Sequence, residues 1–291
     1  MRSSAFVLVL VCMSLAACEN KVGSQDVAKF ESGKVLSELT DNKLNEASGL
    51  AASVTNDGLL WTLNDKGNEA EIYLVDKNLK INMTVRLDGI DNRDWEDIVV
   101  GPGPDANLNY IYVGDIGDND GEYKQKYIYR FPEPKVGEDK TITDFDKIVF
   151  TLEDGAKDSE SLFIDAKSKN LYVVTKREKP VSVYELKYPQ PVGETATASK
   201  VLSLSLNEIV SADCFGKKGD ILMKNYKNIY YWENSDNLDV ISLLKTKPQE
   251  VAYKAEPQGE SIAWAADGSG FFTLSEKKKK EASYLYFYPK K

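Results

Sequence analysis

The sequence predicts an all-β fold: a five-bladed β-propeller of four-stranded blades, with an N-terminal strand closing the last blade. Three observations carry this. Aromatics make up 10% of the 291 residues, with 16 Tyr, and Val and Ile are plentiful, a composition that favours strands. After the N-terminal apolar stretch, no segment of useful length has a helical period. Five segments repeat one rhythm of polar residue, apolar run, turn, β-rich strand, second turn and Tyr-containing strand, and such a repeat signals a closed or stacked architecture.

The chain opens with Arg2, an apolar stretch from Ala5 to Leu15, and Leu15-Ala16-Ala17-Cys18. The apolar stretch is too short to span a bilayer. It resembles a bacterial lipoprotein signal with its lipobox. The resemblance implies cleavage before Cys18 and fatty acylation of that thiol, such as by palmitate. Several acyl chains give stable anchoring. The expected organisation is a signal peptide over 1–17, a lipidated Cys18 and polar tether over 18–28, and a single propeller domain over 29–291. The expected location is the bacterial cell envelope, membrane-anchored and outside the cytoplasm. Cys12 would leave with the signal and Cys18 would carry lipid. Cys214 then stands alone, so no intramolecular disulfide is available.

Next comes KVLSEL (34–39), a strand candidate without a segment of its own; a ring closes if it completes the last blade. The first segment is ASGLAASVTNDGLLWTLND followed by AEIYLVDKNLK. The second is WEDIVVGPGPDANLNYIYVGD followed by KYIYRFPEP. The third is SESLFIDAKSKNLYVVTK followed by VSVYELKYP. The fourth is VSADCFGKKGDILMKNY followed by NIYYWENSDN, and the fifth is GESIAWAADGSGFFTLSE followed by SYLYFYPKK. NDG, KSKN and ADGSG have hairpin-turn chemistry. INMTVRL, KIVFTL, KVLSLSL and LDVISLL are expected as the outer strands of the first four blades. FPEP and KYPQP read as linking turns, and EKKKKE (276–281) as a solvated hairpin tip.

Net charge is −9, and without residues 1–17 the chain has 36 basic against 46 acidic residues. Nothing here suits nucleic acid. There is no histidine, which excludes Ser-His-Asp and Cys-His catalysis and His-ligated zinc. A resident metal is therefore expected to be a hard cation held by oxygen.

Aligning the five segments on their first strand places Ser48, Glu96, Glu160, Ser211 and Glu260 at equivalent positions, with Asp213 as an alternative ligand in the fourth. Inner strands of a propeller line its channel, so these residues are expected to meet on the axis. Two carboxylates about 5 Å apart repel by roughly 3 kcal/mol at an effective dielectric near 20. With no Lys or Arg at these positions, a cation such as Ca²⁺ is the expected neutraliser. A second set lies where the second strands end: Asn64, Asp65, Asp115, Asp118, Asn119, Lys176, Arg177, Lys224 and Glu276. Mixed acids and bases at a channel mouth suit a phosphate or carboxylate beside a metal.

The runs ASGLAAS, LLWTLNDKGNEAEIYLVD, NRDWEDIVVGPGP, YIYVGDIGDN, DSESLFID and GESIAWAADGSGFFTLSE resemble a family of bacterial secreted and lipoprotein β-propellers of uncharacterised function. Some of its members are described as phytase-like or esterase-like. The order Ser48, Glu96, Glu160, Ser211, Glu260 is similar to the axial calcium site of the five-bladed calcium-activated nucleotidases (apyrases). Two functions follow as expectations. One is a lipid-anchored, monomeric propeller with axial calcium that binds a phosphate-bearing small molecule or a protein partner at its mouth. The other is a calcium-dependent phosphoester or phosphoanhydride hydrolase, with Asp65, Asp94 or Asp115 as base and Lys176 and Arg177 neutralising developing charge.

Overall fold

The computed structural model describes residues 29–278 and 281–291. The expected signal peptide, Cys18 and the tether lie outside the described residues. Among the described residues, no helix is long and apolar enough to cross a membrane.

The described chain is nearly all strand. After β1 (Lys34–Glu38), the strands β2 (Ala47–Ala52), β3 (Leu60–Asn64), β4 (Glu71–Val75) and β5 (Ile81–Leu87) form an antiparallel meander. Next come β6 (Trp95–Pro102), β7 (Asn109–Asp115), β8 (Lys126–Pro132), the short β9 (Lys140–Ile142) and β10 (Asp146–Leu152). A third set is β11 (Ser159–Ile164), β12 (Leu171–Thr175), β13 (Val181–Leu186) and β14 (Thr195–Leu204). A fourth begins with β15 (Ser211–Phe215), β16 (Asp220–Lys224) and β17 (Ile229–Trp232).

The sequence expects a fourth strand over LDVISLL, but a helix forms there instead, α1 (Val240–Leu244). Asp239 caps it by accepting from the Ser242 N–H, and Val240, Leu243 and Leu244 are buried. That i, i+3, i+4 spacing is helical, and the cap fixes the start. The outer place is taken by β18 (Gln249–Val251), which pairs with β17. The last set is β19 (Ser261–Trp264), β20 (Gly270–Leu274) and β21 (Tyr284–Pro289), with β1 antiparallel to β21 on its outside.

The innermost strands β2, β6, β11, β15 and β19 contact one another in a closed cycle. Five apolar clusters fill the gaps between consecutive sets, so the arrangement is propeller-like. Between the first two sets, Trp61 and Trp95 are fully buried, and Trp61 Nε1 donates to Glu133 at 2.9 Å. Truncating such a side chain typically costs about 3–5 kcal/mol.

Two main-chain links tie sets together at their outer edges. β9 pairs parallel with β5, and β10 pairs parallel with β14 to make one eight-stranded sheet. Both links cover strand edges that would otherwise be open.

On the inner strands, the pairing is interrupted between Ala47 and Leu50, between Trp95 and Asp97, and between Ser159 and Ser161. A bulge leaves one residue out of the ladder and re-aims its side chain. In the second and third sets, the residue left out is Glu96 and Glu160.

Candidate metal and ligand site at the channel mouth

Main-chain bonds fix which residues are equivalent. Asp65 N–H donates to Glu46 O at 3.0 Å, Lys176 N–H to Asp158 O at 3.1 Å, and Glu276 N–H to Gln258 O at 3.1 Å. Ser48, Glu160 and Glu260, each two residues further on, therefore share one level, and Glu96 joins them two residues after Asp94. The fourth set departs from expectation. Ser211 pairs with Lys224 as Ser261 pairs with Leu274. The Ile262 N–H donates to Ser211 Oγ at 3.3 Å, much as the Leu162 N–H donates to Asp97 at 3.0 Å. Ser211 thus sits one residue deeper, level with Asp97 and Ser261, and Val210 holds the place expected for a ligand. Asp213, the alternative, lies deeper still and accepts from the Trp264 N–H at 2.7 Å.

The expected axial set does not stand free to bind an ion. Ser48 Oγ donates to Glu96 O at 2.8 Å, and Ser211 Oγ lies 3.4 Å from the Asp97 carboxylate. The Ser48 hydroxyl stitches the neighbouring strands β2 and β6, whereas the Ser211 hydroxyl reaches past β11 to β6. Lys176, at the end of β12, reaches into the ring, with Nζ 2.7 Å from Glu160 and 3.8 Å from Glu260. Tyr226 donates to Glu260 at 2.6 Å, and its ring lies under the Lys176 ammonium. The neutralising charge on this side is thus a lysine of the chain itself. Burial pulls the Lys176 amine down, but the Glu160 carboxylate carries the balance upward.

On the side of the first two sets, the carboxylates lack such a partner. One oxygen each of Asp65, Asp94 and Glu96 lie within 4.8 Å of one another. Asp94 Oδ1 is buried without a hydrogen-bond partner among the described residues. The nearest cation is Lys66 at 3.6 Å, and that lysine is half exposed. Burial first, then the charges of Glu160, Asp65, Asp94 and Glu260, push the Glu96 carboxyl well above its usual range. Burial raises Asp94 against the pull of Lys66. Burial likewise lifts Asp65 to about 6, although the Lys66 N–H donates to it. Three carboxyls all driven towards protonation form a set that a divalent cation would discharge. Gly117 makes the close approach possible, because a Cβ there would collide with Glu96 Oε1 and meet Asp94 Cγ at 2.5 Å.

The remaining expected residues divide. Glu276 belongs to the mouth, its carboxyl raised by burial and by Glu260. Arg177 is half exposed there, holding Asp158 at 2.6 Å and donating to Asn119. Asn64 is buried and donates to Lys43 O at 2.7 Å. Asp115 turns away from the acidic set, held by Arg93 at 3.2 Å and Tyr129 at 3.3 Å. Asp118 anchors its own loop by accepting from the Glu122 and Tyr123 N–H groups. Lys224 is fully buried and donates to Gly259 O; burial lowers its amine to about 8.

Sequence reasoning missed Lys66, Asp158 and Tyr226. Asp158 had a signal: acids stand two residues before the ring position in Glu46, Asp94, Asp158 and Glu208. That same spacing places Val210, not Ser211, in the fourth set. Lys66 and Tyr226 lie in turns and carry no such pattern.

No family model and no curated protein matches the chain. Among solved structures, a gluconolactonase from Xanthomonas campestris matches over 91% of this chain and 96% of its own, at 11% identity and a TM-score of 0.46.

Proposed function

We propose that the chain is a five-bladed, lipid-anchored propeller of the bacterial cell envelope. It binds a divalent cation, calcium, at Asp65, Asp94 and Glu96, and presents it to an anionic ligand at the channel mouth. The observation that carries this is the three-carboxylate set, in which the buried Asp94 Oδ1 accepts no hydrogen bond and has only the half-exposed Lys66 at 3.6 Å. An oxygen-only donor set in a chain without histidine suits a hard cation. The anchor rests on Leu15-Ala16-Ala17-Cys18. Around the acids, Lys66 and Arg177 are half exposed, so an anion reaching the cation meets positive charge on its flanks.

Calorimetric titration of chelator-treated protein tests the reading. Wild type is expected to bind Ca²⁺ saturably. Asp94→Asn is expected to weaken binding at least about tenfold, the scale of one charge-assisted contact. Glu260→Gln is expected to change it little, since Glu260 already has Lys176 and Tyr226. Binding that is absent, or indifferent to Asp94→Asn, would overturn the assignment.

A second reading, calcium-dependent phosphoester or phosphoanhydride hydrolysis, is favoured by Lys66 and Arg177 at the mouth, whose charges would neutralise a developing phosphoryl charge. Release of phosphate from nucleoside di- and triphosphates with Ca²⁺, and its loss with chelator, would establish it. No turnover on a broad phosphoester panel leaves the binding function.

A further inference from the structure

The other end of the channel carries a separate feature. There the inner strands run out into small residues, among them Ala51, Ala52, Gly101, Ala166, Ala265 and Ala266. They leave a cavity of roughly 350 Å³, within the usual range for small-molecule pockets. Val100, Ile164, Phe215 and Trp264 supply apolar wall, and the Phe215 and Trp264 rings lie 5.4 Å apart.

One carboxylate lines this cavity, Asp213. Its oxygens accept from the Cys214 and Trp264 N–H groups, each at 2.7 Å. No Lys or Arg among the described residues forms an ion pair with it, and only those two N–H groups offset its burial. Lys217, the remaining charged residue of the lining, is exposed. Asp213 is only partly buried, so a ligand in the cavity can reach it. A carboxylate so placed without a counter-ion is costly, and an aromatic face beside it attracts a cation with an apolar body.

We propose that this cavity binds a small organic amine. Its ammonium would sit against Asp213 beside the partly exposed Phe215 ring, and its hydrocarbon part against Val100 and Ile164. A neutral isostere would leave Asp213 uncompensated, and an anion would be repelled.

Calorimetry with hexylamine, hexanol and hexanoate at constant ionic strength and saturating Ca²⁺ tests this. Hexylamine is expected to bind at least about tenfold more tightly than either isostere, the worth of one charge-assisted hydrogen bond. Asp213→Asn should abolish that preference while hexanol binding persists. Ala266→Trp, which changes an exposed residue at the cavity's edge, should weaken hexylamine binding; binding at the acidic mouth would not respond. Equal or tighter binding of hexanol or hexanoate, no saturable binding of hexylamine, or indifference to Ala266→Trp would each overturn the proposal. Should Asp213→Asn fail to fold, the wild-type ranking of the three probes decides alone.

Discussion

Replacing Lys176 with Met tests whether the chain's own lysine neutralises the third and fifth sets. The ammonium lies 2.7 Å from Glu160 and 3.8 Å from Glu260. At an effective dielectric near 20, these separations correspond to gross attractions of about 6 and about 4 kcal/mol. Most of that is offset by the desolvation the ammonium no longer suffers in the variant. Methionine keeps the length and the apolar stem, so the loss is mainly of charge. Breaking a buried pair by removing one partner typically costs about 3–5 kcal/mol, and that is the expected loss at pH 8 without divalent cation. Urea unfolding of chelator-treated protein, followed by tyrosine and tryptophan fluorescence, measures it. The deficit should narrow as the pH falls to about 5, because a protonated Glu160 no longer needs the ammonium. A loss below about 1 kcal/mol, the usual value of an exposed ion pair, unchanged from pH 5 to 8, would refute the reasoning.

Two further outcomes are expected. Gly117→Ala should fold, since Gly117 is not among the glycines of positive φ, yet lower Ca²⁺ affinity in calorimetry by pushing Glu96 and Asp94 out of place. The wild-type protein without cation should lose stability as the pH rises. Asp65, at about 6, and the further-raised Glu96 and Glu276 bind more protons folded than unfolded. Their contribution is full below the unfolded carboxyl pKa near 4 and is lost through about pH 6 for Asp65 and higher for the glutamates. Urea midpoints at pH 5 and 8 should therefore differ with chelator and converge with saturating Ca²⁺.

Much of the fold was legible because strand signals are local. INMTVRL became β5 over its whole length, and KVLSEL supplied β1. LDVISLL was misread because its β-branched residues suit a strand, while the cap at Asp239 decides the matter only when tertiary packing lets the turn form. The parallel links through β9 and β10 left no trace, since exposed edge residues such as Lys140 and Thr141 carry no partner preference. At the site, bulges made Glu96 and Glu160 readable as a repeat. The fourth set has no bulge between β15 and β16, and an alignment seeking a polar residue therefore slid from Val210 to Ser211. That Lys176 would close on two glutamates was beyond reach, because it depends on how far a long side chain leans across a channel.

The two outer links make the ring mechanically uneven. The seams joining the first set to the second and the second to the third are stapled by main-chain hydrogen bonds through β9 and β10. Among the described residues no strand pairing joins the other sets; single main-chain bonds, Glu208 N–H to Lys176 O and Lys277 N–H to Asn45 O, cross two of those seams. Asp65 and the Asp94–Glu96 pair face each other across a stapled seam, so their spacing is held by a stiff frame. The Lys176, Tyr226 and Glu260 contacts cross unstapled seams, where slow breathing should concentrate. One half of the mouth is braced by paired strands, the other by single hydrogen bonds and side chains.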